Sequence, residues 1–361
     1  MRKTGLILAA IAVLLITPRL ANAEEPALAQ IAADQAPCGP AVKPLEAAIA
    51  PRLVKFSVSP FPYDGNDPVN GKPFLDYNKN GQRGHTSPRG SLHLEADAYS
   101  DTRSLLYLPA GFDLSRPEQA LIVVFFHGNN ARLKQDVEFR QRVPQQLAAS
   151  GLNAALVAPQ FAVNVADSSA GRFWDSGVFS QYLREAAKHL AALRNEPCTE
   201  AIFDRIGVVL VAYSGGYDPA AYALALGGAD SRIRGVILLD ALYGETDKFN
   251  RWIAGTVGVG RPVFFFSAYS GSSRPENLEL QRLLTEQHIK FAASPQPLRL
   301  EKGSVTFLFA GSRIDHKDFV TSAWVRDPLQ VALSAIDGFR IATAKTPARP
   351  ATESTRGSAR H

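Results

Sequence analysis

Five solid apolar runs, separated by amphipathic or alanine-rich stretches, constrain this sequence more than anything else in it. They are residues 120–126 (ALIVVFF), 206–212 (IGVVLVA), 235–239 (GVILL), 263–266 (VFFF) and 305–309 (VTFLF). A strand wetted on one face alternates polar and apolar residues, so runs without alternation belong to strands covered on both faces. Residues 134–149, 178–193, 217–226, 246–253, 276–287 and 320–335 read as helices, and 154–158 as a further short strand. Strands alternating with helices imply an α/β fold, a mostly parallel sheet with helices on both faces.

The text upstream is different. Residues 24–52 are rich in Ala and Pro and read as peripheral, and 53–59 alternate like an exposed strand. Residues 60–90 are dense in Gly, Pro, Asn and Asp, which predicts loop. Residues 91–98 and 103–108 read as a hairpin-like pair of antiparallel strands. Within the loop, Asp76-Tyr77-Asn78-Lys79-Asn80-Gly81 begins like a calcium-binding loop. Its twelfth position is Ser87, where a bidentate Glu is required, so Asx-turn chemistry is the better reading and no metal is expected. With one methionine and 24 prolines the chain is not a helical bundle.

The first residues set the expected compartment. Met1-Arg2-Lys3 is a positive start, residues 4–16 are an uncharged apolar run, and Ala21-Asn22-Ala23 is a small-x-small site before Glu24. That is the pattern of a secretory signal peptide, residues 1–23. The apolar run is too short to span a bilayer, and no later run is longer, so no membrane span is expected after cleavage. The expected location is periplasmic or secreted. In an oxidising space the two cysteines, Cys38 and Cys198, are expected to bond.

The formal charge of +5 is misleading. Without Arg2, Lys3 and Arg19 it is +2, and the tail from Arg340 holds five cations against Glu353. The remaining core is near neutral and shows no basic cluster, which argues against a nucleic-acid reader. The expected organisation is signal peptide 1–23, N-terminal extension and loop 24–90, main domain 91–338, and disordered tail 339–361.

The chemistry is carried by Ala212-Tyr213-Ser214-Gly215-Gly216. It follows a buried strand and precedes a helix, the context of a nucleophile elbow, in which a sharp turn lifts a serine off the strand tip. The usual pattern is G-x-S-x-G; here Ala212 stands at the first glycine, and Gly216 is the second. A second signal, Phe125-Phe126-His127-Gly128-Asn129-Asn130, ends the first apolar run.

With these two motifs the chain resembles the α/β-hydrolase superfamily over residues 92–335. The resemblance implies an oxyanion hole built from the N–H of Gly215 and that of Asn129 (or Gly128), and leaves His127 structural. Each such donor contributes ~3–4 kcal/mol to a forming oxyanion. The family order of serine, acid, histidine places the base late in the chain. Of His288, His316 and His361, His316 lies where the family carries it, after the last strong strand. The acid is less determined. The strand more often used, 263–266, leads into Ser267-Ala268-Tyr269-Ser270-Gly271 without a carboxylate. Asp240 ends the preceding strand, a position also used in the superfamily, and a carboxylate at a buried strand tip needs a partner. Asp315, Asp247 and Glu245 are its rivals.

The implied reaction is acyl transfer through Ser214, His316 and Asp240 on a small-molecule ester, without cofactor. The alternatives are an amidase or peptidase using the same residues, and a binding module that keeps the fold without the activity. Tyr213, Trp174 and Tyr243 are expected to line the substrate site, with Phe161, Phe173, Phe249, Trp252 and Tyr269 as further aromatic candidates. Arg172, Arg274 and Arg313 are candidate partners for an anionic substrate group.

Overall fold

The computed structural model describes residues 42–294 and 297–341. The expected signal segment, Cys38 and residues 342–361 lie outside the described residues; Cys198 lies in the turn Pro197–Thr199. The described residues belong to one compact unit.

The strands are β1 (Ile49–Lys55), β2 (Tyr77–Lys79), β3 (Gln82–Thr86), β4 (Leu92–Leu94), β5 (Arg103–Leu108), β6 (Leu121–Phe126), β7 (Ala154–Pro159), β8 (Gly207–Tyr213), β9 (Ile233–Leu239), β10 (Phe264–Ser270), β11 (Ala292–Ala293) and β12 (Val305–Gly311). The helices are α1 (Glu95–Ala98), α2 (Val143–Ser150), α3 (Val178–Arg194), α4 (Glu200–Phe203), α5 (Tyr217–Ala225), α6 (Thr246–Thr256), α7 (Arg274–Glu286) and α8 (Pro328–Ser334). Among the described residues nine strands form one sheet in the order β1-β5-β7-β6-β8-β9-β10-β12-β11. The pairs β1/β5 and β5/β7 are antiparallel, and every pair from β7/β6 onward is parallel. Each of the five apolar runs is one of the parallel strands.

Strand geometry sends alternate residues to opposite faces, and two cores follow. Ile122, Val124 and Phe126 of β6, with Val208, Leu210 and Ala212 of β8, pack on one face with α3, α5, α6 and α7. Leu121, Val123 and Phe125, with Val209, Val211 and Tyr213, pack on the other with α2 and α8.

Several boundaries differ from the sequence reading. The region 60–90 is not all loop, since β2, β3 and β4 form a small antiparallel sheet of their own. Its β2–β3 turn is Asn80-Gly81, both with positive φ (53° and 75°), the backbone of a tight two-residue hairpin. The stretch resembling a calcium loop is this hairpin, and Asp76 accepts the Thr86 N–H at 2.8 Å. Residues 91–98 and 103–108 do not pair: β4 joins β3, α1 turns the chain, and β5 enters the large sheet. The expected boundary at residue 90 falls inside the compact unit, because β1 pairs with β5. The helix expected over 134–149 is broken. A wide helical segment, Leu133–Arg140, ends before Arg142 (φ 53°), and α2 restarts with Pro144 in its first turn. Proline lacks the N–H needed to continue the preceding ladder. The last helix is short, Pro328–Ser334. Residues 339–341 are not tail: Phe339 is buried, and Ile341 N–H donates to the Gly151 carbonyl. No helix among the described residues is long and apolar enough to cross a membrane.

Candidate active site

Ser214 sits between β8 and α5 with φ 54°, a left-handed conformation uncommon for a residue with a Cβ. The chain reverses there within one residue, and the hydroxyl stands clear of the strand tip. Glycine at 216 is fixed by packing, since a Cβ there would overlap the Phe126 carbonyl at the end of β6. Ala212 lies inside β8, paired with Phe126 and Leu238, where its methyl is accommodated. The His-Gly turn abuts the serine: a Cβ on Gly128 would lie 2.6 Å from the Ser214 Cβ. A Cβ on Gly215 would overlap the Asn129 side chain, which accepts the Ser168 hydroxyl at 3.1 Å.

His316 follows β12 on a short helical turn, His316–Asp318, whose start Asp315 caps by accepting from the Lys317 N–H. Its Nε2 is 2.6 Å from Ser214 Oγ, and its Nδ1 is 2.6 Å from Asp240 Oδ2. Asp240 lies one residue beyond β9, fully buried, with φ 45°. Three strand tips, of β8, β9 and β12, thus bring Ser214, His316 and Asp240 into one hydrogen-bonded chain. The rival acids are engaged elsewhere: Asp315 with Lys317, Asp247 with Arg251 and Lys248, and Glu245 with Lys248. His127 is buried and turned away from the serine. Its Nδ1 meets the Gly128 carbonyl, and its Nε2 accepts from the Phe161 N–H. Burial pulls its pKa down to about 4, which keeps the ring neutral.

Burial alone raises the pKa of a carboxyl like Asp240. Hydrogen bonds from His316, Ser273 and the Ser270 N–H outweigh that and hold it below the usual carboxylate range. It stays an anion at neutral pH and fixes the imidazole with Nδ1 protonated and Nε2 facing the serine.

A cleft of about 440 Å³ opens over Ser214. Trp174 and Tyr243 line it. Tyr213 does not: it is buried, its ring stacks on His316 at 5.3 Å, and its hydroxyl donates to the His316 carbonyl at 3.2 Å. Phe161, Phe173, Phe249, Trp252 and Tyr269 are core rather than wall. Arg172 bonds the Ser57 carbonyl, Arg274 lies over Phe309, and neither they nor Arg313 reach the cleft.

The wall instead carries Asp67, His85 and Arg89 from the small sheet and its loops, with Asp167 and Asp218, all of which the sequence reading passed over, and Glu245, which it named only as a rival acid. Within residues 60–90 the Asn80-Gly81 pair was the signal of a hairpin. Asp218, one turn beyond Ser214 on α5, accepts the Trp174 indole N–H at 3.1 Å. Burial, then the charge of Glu245, push its pKa up to about 8. Among the described residues no group of three or more His, Cys, Asp or Glu is arranged to hold a metal ion.

No family model matches the chain, and no curated protein matches it in sequence. Solved structures resemble it in three dimensions at low sequence identity. One is a feruloyl esterase module from Clostridium thermocellum (14% identity, 76% of this chain and 95% of that one, TM-score 0.43). Another is an S-formylglutathione hydrolase from Agrobacterium tumefaciens (14%, 72% and 97%, TM-score 0.38). A third is a cold-adapted esterase from an Arctic intertidal metagenomic library (14%, 67% and 89%, TM-score 0.32). The assignment rests on the molecule itself. With two antiparallel entry strands, a parallel sheet covered on both faces, and a serine at the sharp turn between the central strand and its helix, this chain has the fold of the α/β-hydrolase superfamily.

Proposed function

We propose that the protein is an exported serine hydrolase that cleaves carboxylic esters. One observation carries the reading: Ser214 Oγ, His316 and Asp240 are linked by two 2.6 Å contacts at the floor of an open cleft. Nucleophile, base and orienting acid at these distances form the arrangement that activates a serine.

The steps follow from the geometry. His316 Nε2 takes the Ser214 proton as Oγ attacks the ester carbonyl carbon, and the carbonyl oxygen becomes an oxyanion. The Gly215 N–H and that of Asn129 (or Gly128) are the donors proposed for it. Collapse breaks the bond to the alcohol oxygen, which leaves with the proton held on His316. Water then gives its proton to the same nitrogen, adds to the acyl carbon and releases the acid, restoring the Ser214 hydroxyl. Asp240 stays ionised throughout and balances the imidazolium.

The test is labelling by a fluorescent fluorophosphonate of the wild type, Ser214→Ala and His316→Ala. Labelling of the wild type alone is expected; equal labelling of Ser214→Ala overturns the assignment of the nucleophile. A matched panel of p-nitrophenyl esters and p-nitroanilides then separates ester from amide cleavage, with esters expected to turn over faster. Export is tested by the N-terminal residue of protein recovered outside the cytoplasm, expected to be Glu24.

A further inference from the structure

Asp240 has more hydrogen-bond donors than a carboxylate has sites. Oδ1 accepts the Ser270 N–H at 2.9 Å and the Ser273 hydroxyl. Oδ2 is approached by His316 Nδ1 at 2.6 Å, by the Ser270 hydroxyl at 2.9 Å, by the Tyr243 hydroxyl at 3.1 Å and by the Ser272 hydroxyl at 3.4 Å. A carboxylate offers about four lone-pair sites. Two are filled at Oδ1 and one is taken by His316, so three hydroxyls converge on the last. They are also bonded to one another: Ser272 is 2.8 Å from Tyr243 and 2.7 Å from Ser270. The hydroxyls therefore act as a linked set, in which protons not given to Asp240 are given to a neighbour.

Tyr243 is the member that meets both partners of the acid–base bond. Its oxygen is 3.1 Å from Asp240 Oδ2 and 3.2 Å from His316 Nδ1, and its ring stands edge-on to the imidazole at 83°. A phenol there donates to the carboxylate while its lone pair faces Nδ1. That lone pair and the carboxylate are both acceptors facing Nδ1, so the imidazole proton sits on Nδ1, the tautomer that leaves Nε2 free for the Ser214 hydroxyl. Burial pushes the phenol's own pKa up, so it keeps its proton. The three serines lie at the tip of β10 and just beyond it, the place where the sequence offered no carboxylate.

We infer that Tyr243 is a positioning residue of the His316–Asp240 pair, holding the imidazole tautomer through its hydroxyl, in a cage completed by Ser270, Ser272 and Ser273. This rests on the proposed role of Ser214, His316 and Asp240, and it revises the expectation that Tyr243 serves only as substrate wall.

The expected sign follows from charge. Each donor draws negative charge from the carboxylate, and a hydrogen bond to a charged group outweighs one to a neutral group. Removing the Ser273 hydroxyl leaves Asp240 more negative toward the imidazole and favours imidazolium, whereas at Oδ2 Ser270 or Ser272 takes the place that Tyr243 vacates, and loss of the phenol instead removes an acceptor from Nδ1–H and disfavours imidazolium. The other titratable groups near His316 are Tyr213 beneath the ring, Asp315, Lys317 and Asp318 on its own turn, and Arg140 beside Tyr213. Asp218 and Glu245 line the cleft it faces. Neither substitution below alters these.

The experiment compares wild type, Tyr243→Phe and Ser273→Ala. The pH dependence of kcat/KM on a p-nitrophenyl ester is measured for each, together with the downfield proton resonance of His316 Nδ1–H. In Ser273→Ala the acid limb is expected to move up by about half a pH unit or more, and in Tyr243→Phe to move down, with a shift of the Nδ1–H resonance. Ser273 is fully buried and outside the cleft, so its variant should leave KM unchanged. A Tyr243→Phe enzyme that differs only in KM, with the limb and the resonance unmoved, makes Tyr243 a wall residue and overturns the inference. If the wild type carries the Nδ1–H resonance but is not labelled by fluorophosphonate, the hydrolase reading has failed, and with it the role of Tyr243 in a reaction. A labelled wild type with superimposable pH profiles isolates the failure to Tyr243.

Discussion

At the residue scale, Gly216 and Asp218 show how closely the turn after Ser214 is specified. Gly216 lies against the Phe126 carbonyl, backbone that cannot swing aside. Gly216→Ala is therefore expected to destabilise the protein by about 1–3 kcal/mol, as other overpacked sites do, while Ala212→Gly leaves the turn intact. Denaturant unfolding with fluorophosphonate labelling separates the two. Asp218 gives a pH signature. Its folded pKa, about 8, lies above the unfolded value of about 3.9. The folded state then holds a proton that the unfolded state has lost, and stability falls as pH rises from near 4 through 8. Asp218→Asn is expected to flatten that slope and to unfold at higher temperature than wild type at pH 8, read from thermal melts across the range. The elbow serine, the late histidine and the strand-end aspartate were legible in sequence because each follows a distinctive apolar run. Ser270, Ser272, Ser273 and Asp218 were not. Serines near a strand tip are ordinary turn residues until their hydroxyls are seen to converge, and an aspartate in the first turn of a helix is equally ordinary.

At the scale of elements, the parallel strands were readable because burial on both faces leaves a run without alternation. The small sheet was not, since its strands are three to five residues long and mostly exposed, below the length at which period-2 patterning stands out. Yet this sheet and its loops bring His85 and Arg89 to the cleft, with Asp67 beside them. Its integrity depends on the Asn80-Gly81 turn. Gly81 has φ 75° and nothing within 4 Å of an added Cβ, so Gly81→Val strains the backbone without a clash, at a cost of about 1–3 kcal/mol. The expected result is a raised KM for esters with labelling of Ser214 retained, because the nucleophile, base and acid all stand on the large sheet. Loss of labelling in this variant would mean that the small sheet supports the site rather than edging it.

At the scale of the whole molecule, the two faces of the sheet are closed differently, and one of them depends on the last described residues. The face holding α3, α5, α6 and α7 is sealed by long helices. The opposite face relies on α2, α8 and the segment after α8, where Phe339 belongs to the core. That segment is tied to the end of α2 and the start of β7. The Asn153 N–H donates to the Phe339 carbonyl, the Arg340 side chain donates to the Ser150 carbonyl at 2.7 Å, and Ile341 N–H reaches Gly151. Ile341 also lies over Gly111 after β5. Cutting the chain after residue 341 removes none of these contacts, whereas cutting after residue 338 removes all of them, including a buried phenylalanine. Loss of such a side chain costs about 3–5 kcal/mol. The chain cut after residue 338 is therefore expected to unfold at markedly lower denaturant concentration than the one cut after residue 341. Equal midpoints for the two would show that α2 and α8 close this face by themselves, and that residues 339–341 only lie along it.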